Sequence, residues 1–535
     1  MQKQHVGLRF RVPIDDYWTL DVNESAPVIS EHHYLIEVSN GFDMTDSNRG
    51  HNDDVSVEQF HPVVLVEKAR LAEPLVFLHG PSISFCGNDA THARIMPVFV
   101  PHSKRPNPAK EDGTFLPSAY NKVMHAPAAL RDTVADVVLH TPVYDIHTHL
   151  YDPAFGELLL WGVDDLLIYH YLIAESFRQF DMPYDKFWSM TKTEQADAIW
   201  QALFIDHSPV SEACRGVLTV LNALGLDVKK RDLPALRQHF AKWKVDDFIT
   251  RCMELANVRQ ICMTNSPFDD LERPVWDRGF TRDPRFVAAL RIDPLLLDWP
   301  NTAPKLRDWG YDVNVDFSGR TFDEVRRFLG DWTKKINAQY CMVSLTPDFA
   351  FPAHTDTAQL IQHAIMPHGR EYNQAFALMI GVRRNVNPRL RLAGDSLGKA
   401  DVTAVENLCV EYPDNKFLCT MLSRENQHEL CIAARKFRNL HIFGCWWFMN
   451  NPLLIEEITR MRLELIGLSM TPQHSDCRVL DQLVYKWQHS RGILAKVLAD
   501  KYEDLAATGW EPTRAEIERD VRDLFGGALE RFLKS

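Results

Sequence analysis

The chain has 535 residues, 45% of them apolar and 24% charged, an ordinary composition for a globular enzyme with room for more than one domain. Its net charge of −13 argues against nucleic acid or an anionic membrane surface as partner, while local arginines could still hold a small anionic substrate. The sequence has no uninterrupted apolar stretch of about 18 residues and no leader-like N-terminus, which makes the cytosol the expected location and a membrane partner unexpected.

Residues 1–118 contain extended apolar pieces, His33-Tyr34-Leu35-Ile36-Glu37-Val38 and Pro62-Val63-Val64-Leu65-Val66, separated by polar stretches. They are expected to form a mostly β accessory region. The Pro- and Lys-rich run at 101–108 is the strongest boundary signal, so residues 119–535 are expected to form the main domain. There, eight short apolar runs recur at 143–149, 260–265, 286–293, 340–346, 375–381, 416–422, 440–446 and 470–476. They lack strict alternation, as strands covered on both faces do. Amphipathic segments separate them, for example Leu454-Ile455-Glu456-Glu457-Ile458. Parallel strands with helical crossovers predict an α/β fold, a distorted (β/α)8 TIM-like barrel. The gap after the first strand predicts a helical insertion at about 153–255, and Thr513 with Glu516 predicts a capping box for a last helix over 514–533. Gly394-Asp395-Ser396-Leu397-Gly398 lacks the phosphate-loop pattern and is expected to be a turn-rich loop. Ten cysteines without a Cys-x-x-Cys pair are expected as free, buried thiols.

The run Val143-Tyr144-Asp145-Ile146-His147-Thr148-His149 carries the strongest chemical signal. Residues two apart on a strand share a face, so His147 and His149 can reach one metal together. A third ligand should come from another strand end. Asp476, at the end of the last candidate strand, becomes a neighbour of the first strand in a closed barrel. Two imidazoles and a carboxylate with an open position suit Zn2+ or another divalent metal. His474 competes with Asp476 for that place, and a surface loop is the plain alternative for this segment.

These residues and several others, in one order along the chain, resemble the uronate isomerase family of the amidohydrolase superfamily. His147-Thr148-His149-Leu150 resembles the family's His-Cys-His-Leu, and Tyr169-His170-Tyr171 keeps its His-Tyr pair. Leu290-Arg291-Ile292-Asp293 resembles Phe-Arg-Pro-Asp, and Met263-Thr264-Asn265-Ser266-Pro267 resembles Thr-Thr-Asp-Asp-Pro. Gly444-Cys445-Trp446-Trp447-Phe448 resembles Gly-Ser-Gly-Trp-Trp-Phe, and Ser475-Asp476-Cys477-Arg478 resembles Thr-Asp-Ser-Arg. The resemblance runs from His147 to Lys496. It departs at Met379 and near Thr346, where the family pattern has histidines.

The resemblance implies aldose–ketose isomerisation of a hexuronate, glucuronate or galacturonate, at one metal ion. It makes His170 and Tyr171 the candidates for proton shuttling, with a packing pair as the alternative, and gives Asp476 both metal binding and proton transfer. Arg291 and Arg478 suit the substrate carboxylate through bidentate guanidinium geometry, although Arg291 could equally pair with Asp293. Trp446 and Trp447 are candidates for the sugar pocket or for packing behind it. The expected partner is a small sugar acid, and the apolar barrel helices are compatible with a homo-oligomer. Two other functions remain open from sequence: a zinc hydrolase or lactonase of the same superfamily, and a non-catalytic carbohydrate-binding relative.

Overall fold

The computed structural model describes residues 128–535 and, ahead of them, only the backbone of five short strands, Val28–Ser30, His33–Glu37, Val63–Glu67, Leu75–His79 and Ser82–Cys86. The rest of the expected accessory region, 1–118, lies outside the described residues.

From Val143 onward, seven strands follow one another: β1 (Val143–Thr148), β2 (Val258–Asn265), β3 (Phe286–Arg291), β4 (Ala338–Leu345), β5 (Ala375–Ile380), β6 (Phe417–Met421) and β7 (Leu440–Ile442). Each pairs in parallel with its sequence neighbour, so spatial order equals chain order. The connections are long enough to carry helices, as parallel pairing requires. β1, β5 and β6 are buried along their whole length, which explains their unbroken apolar character. Tyr144, Ile146, Cys262, Tyr340, Met342 and Met379 fill one cluster, and the crossover helices bury the other faces of the strands in a second, larger one. The sheet curls into a TIM-like parallel half-barrel.

The eighth expected strand, 470–476, does not form. Only Thr471 bridges in parallel, to Phe443, with hydrogen bonds from the Thr471 amide to the Ile442 carbonyl (3.0 Å) and from the Gly444 amide to the Thr471 carbonyl (2.8 Å). Pro472 then removes a ladder donor, and Asp476 turns into the left-handed region at φ 54°. The segment still reaches β1, because the Asp476 amide donates to the His147 carbonyl (3.2 Å) and the His149 amide to the Cys477 carbonyl (2.7 Å). Other runs end early. The 286–293 run stops at Arg291 because Asp293 and Pro294 open a helix, Asp293–Leu297, and the 440–446 run stops at Ile442.

Between β1 and β2 the chain is helical, from Val163–Leu167 through Val245–Ala256. The Thr513–Glu516 capping box is present, but the expected 514–533 helix breaks into Arg514–Arg522 and Ala528–Lys534. The break lies at Phe525 and Gly526, whose backbone leaves the helical region; Gly526 takes φ 120°, and a Cβ there would come within 2.8 Å of the Tyr144 side chain, so the turn suits glycine. The nine cysteines among the described residues are free and buried. No helix of the described residues is long and apolar enough to cross a membrane.

Candidate active site and metal centre

β1 delivers two imidazoles to the end of the sheet. Its register against β2 shifts between Asp145 and Thr148, which re-aims the last residues of the strand. Asp145, fully buried, accepts hydrogen bonds from the Ser475 amide (3.0 Å) and the Trp487 indole (2.8 Å), tying β1 to the irregular 470–477 segment. Asn450 holds the same segment by donating to the carbonyls of His474 and Ser475. These ties set Asp476 against the end of β1.

There, Asp476 Oδ1 lies 3.4 Å from His147 Nε2 and 3.3 Å from His149 Nε2, and the three ligand atoms are all within 4.8 Å of one another. His147 Nε2 and Asp476 Oδ1 are buried without a hydrogen-bond partner among the described residues. Thr264 sets the tautomer of His149. Its hydroxyl donates to the Thr148 carbonyl (3.1 Å) and so must accept from His149 Nδ1–H (3.0 Å), leaving Nε2 with a lone pair. Burial, and then the Arg478 charge, hold the His149 pKa down at about 3, so the ring is neutral near pH 7. Converging, unpartnered nitrogen and carboxylate donors fit a divalent cation. The left-handed backbone at Asp476 is the kind of strain that persists where function over-determines a conformation.

His474 is buried beside this group, its ring 5.1 Å from that of His147 and both its nitrogens unpartnered, but it lies outside the converging set. Its imidazole occupies the place of a side chain on Gly444, where a Cβ would fall 1.8 Å from Nδ1.

A small pocket over the three ligands is completed by His170, Arg291, Ser344, Arg384, Trp446, Trp447 and Arg478. His170 opens the helix His170–Ser176, and its Nε2 accepts from the Trp447 indole (3.2 Å), so the proton is on Nδ1. Burial, reinforced by Arg478, keeps this ring neutral. Arg291 ends β3 and is held by Asp293, whose Oδ2 accepts from Nε at 2.8 Å and whose Oδ1 accepts from the Ser344 amide (2.9 Å). Pairing with Asp293 therefore coexists with a place in the pocket wall. Arg478 is fixed through its backbone amide to Gln482 (2.9 Å), and its guanidinium makes no ion pair among the described residues.

Tyr171 lines neither this pocket nor the cleft beside it; its ring lies against Phe448 (6.1 Å between centroids), under Lys486. Tyr169 lines the cleft instead. Met379, where the family pattern has a histidine, is packed in the barrel core, and Thr346 is exposed.

Arg384 escaped the sequence reading. It follows β5, pairs with Asp395 (2.6 Å) and stands over Trp447 (5.8 Å). The pairing of Val382–Arg383 with Ser396–Leu397 brings Asp395 into reach, so the expected turn-rich loop is anchored at its base. Its position just past a barrel strand was the available signal.

No protein-family model matches the chain, and no curated protein does. Among solved structures, a uronate isomerase from Bacillus halodurans is 53% identical over 77% of this chain and 97% of its own, with a TM-score of 0.76. A uronate isomerase from Thermotoga maritima (15% identity, 79% and 100% coverage, TM-score 0.60) and a glucuronate isomerase from Caulobacter crescentus (15%, 79% and 97%, TM-score 0.61) share the fold.

Proposed function

The chain belongs to the uronate isomerase family, and from that premise we propose that it interconverts glucuronate or galacturonate with the corresponding 2-keto acid at a single zinc-type metal centre. The observation that carries this reading is the convergence of His147 Nε2, His149 Nε2 and Asp476 Oδ1, the first and last of them buried without a hydrogen-bond partner among the described residues, under a pocket walled by arginines.

The reaction moves one proton between C2 and C1 of the open-chain sugar and one between the two oxygens. A divalent metal held by His147, His149 and Asp476 supplies Lewis-acid polarisation of the oxygens where negative charge develops. Asp476, with its carboxylate in the pocket, takes the part of proton carrier. His170 presents Nδ1–H as a neutral donor. Tyr171, with its ring 4.7 Å from that of His170, backs the same relay. Arg478 and Arg291 take the substrate carboxylate, and Arg478 has its guanidinium donors free of other ion pairs among the described residues. Trp446 and Trp447 form the apolar side of the pocket, with Trp447 also fixing His170 through its indole N–H.

In this reading, residues 119–535 are the catalytic domain, a distorted TIM-like barrel of seven strands with the 470–477 segment in place of the eighth, carrying the 153–255 insertion. Residues 1–118 are an accessory region. The protein acts on a small sugar acid in the cytoplasm, and a homo-oligomer is consistent with the fold.

Metal analysis followed by a uronate panel tests the assignment. Stoichiometric zinc with conversion of glucuronate or galacturonate to the 2-keto acid is expected, and activity should disappear on chelation and return with metal. A zinc-loaded protein that cleaves lactones and converts no uronate would be a hydrolase of the same fold. A protein with neither metal nor turnover would be a binding relative.

A further inference from the structure

The pocket over the metal ligands does not end at its own walls. His149, His170, Arg291 and Arg478 also line a cleft of about 770 Å3, large enough for a drug-sized ligand by the ~300–1,000 Å3 seen for such sites. A single six-carbon acid fills only part of it. The far wall comes from the helical insertion and from the loop after β5, which meet at Trp188 and Arg391. The Arg391 guanidinium lies over the Trp188 ring at 4.3 Å, and the Trp188 indole donates to the Arg389 carbonyl (2.8 Å). Arg389 in turn covers Tyr184 at 4.6 Å. Arg391 is held at φ 54°, ψ −130°, a strained conformation for a non-glycine residue. It takes part in no ion pair among the described residues. The far wall thus offers a guanidinium stacked on an indole and preorganised by it, suited to a carboxylate.

Resting on the isomerase reading above, we propose that this cleft is a second uronate subsite, and that the enzyme isomerises the reducing-end residue of an oligouronide. That residue would lie at the metal ligands, with the next one in the cleft and its carboxylate on Arg391, which Trp188 holds in place. The chemistry allows it. A uronate substituted at O4 keeps C1 and O5 free, opens to the aldehyde, and isomerises by breaking C2–H, forming C1–H and moving one hydroxyl proton from O2 to O1. The glycosidic bond is untouched and no co-reactant is consumed. The four shared residues place the metal ligands at the edge of the cleft, so a ligand with its aldehyde there would extend toward it.

The test uses the full-length, metal-loaded protein with galacturonate and its 4-O-linked dimer, read as kcat/KM for each and as dimer binding by calorimetry. The dimer is expected to be converted with kcat/KM at least equal to that of the monomer. Trp188→Ala and Arg391→Ala should each lower the dimer-to-monomer ratio of kcat/KM tenfold or more, with Arg391→Lys restoring part of the loss. Conversion of the monomer with neither conversion nor binding of the dimer overturns the proposal and leaves the isomerase reading intact, and a ratio unchanged in both alanine variants also overturns it. If neither sugar is converted, the isomerase reading fails. Calorimetry then still decides the subsite: dimer binding lost in Trp188→Ala supports it, and absence of binding to the parent protein overturns it.

Discussion

Thr264 Oγ1 stands 3.0 Å from His149 Nδ1 while giving its only proton to the Thr148 carbonyl, so a hydroxyl on β2 dictates which nitrogen of a β1 histidine is free. Thr264→Val keeps the shape and removes the acceptor. Metal affinity, measured by competition with a chelator, is expected to weaken about 10–100-fold, the usual loss when a ligand histidine loses its orienting partner. Thr264→Ser should restore most of it. Unchanged affinity in the valine variant would mean that Thr264 does not set the tautomer.

Arg478 should recognise carboxylate by shape as well as charge. Arg478→Lys keeps the cation and discards the planar fork, and is expected to lower kcat/KM for a hexuronate by about 10–100-fold, the value of one or two charge-assisted hydrogen bonds at ~1.5–3 kcal/mol each. The loss should be much smaller for a neutral aldose of the same length. Equal losses on both substrates would remove Arg478 from carboxylate recognition.

Gly444 and His474 compete for one volume. Gly444→Ala would place a methyl 1.8 Å from His474 Nδ1 and force a side chain onto a φ of 67°. The expected cost is about 3 kcal/mol, left-handed strain plus overpacking, seen as a lower urea midpoint. The double variant Gly444→Ala/His474→Ala should recover part of it, because the ring that clashes is gone.

Asp481, outside the candidate metal ligands, gives a pH signature. It is fully buried, its Oδ2 accepts from the Gly162 amide (2.8 Å), and its Oδ1 has no partner among the described residues. Burial raises its pKa to about 7 from 3.8. The folded state therefore keeps a proton that the unfolded chain loses. This contribution to stability is complete below pH ~4 and is lost as pH rises through about 7, with a ceiling of order 4 kcal/mol at ~1.4 kcal/mol per unit. Asp481→Asn should be close to neutral at pH 4 and stabilising at pH 8, measured by denaturant unfolding. A variant whose effect does not change between those pH values would exclude this origin.

Much of the barrel was visible in one dimension. β1 to β7 appear as apolar runs because both faces of a parallel sheet are covered, and β1, β5 and β6 are buried from end to end. The His147–His149 pair was visible for a similar reason, since period-two spacing is local geometry. The eighth run misled because Met470 and Thr471 look like a strand opening, whereas pairing beyond them is decided by Pro472 and by the turn at Asp476. The single 514–533 helix failed at a turn invisible to periodicity, where Gly526 approaches Tyr144. Arg384 carried no periodic signal, because its place depends on an ion pair across a loop.

The sequence by itself determined the strand series, the capping box and the identities of the metal-ligand candidates, since each is written in neighbouring residues and their spacing. Tertiary structure alone decided that Asp476 meets the two histidines, that Thr264 selects the lone pair of His149, that Tyr169 and not Tyr171 lines the cleft, and that the cleft extends to Trp188 and Arg391. Those outcomes depend on the curl of the sheet and the docking of loops, which bring together groups hundreds of residues apart, and no local pattern encodes the direction in which such distant backbones finally point.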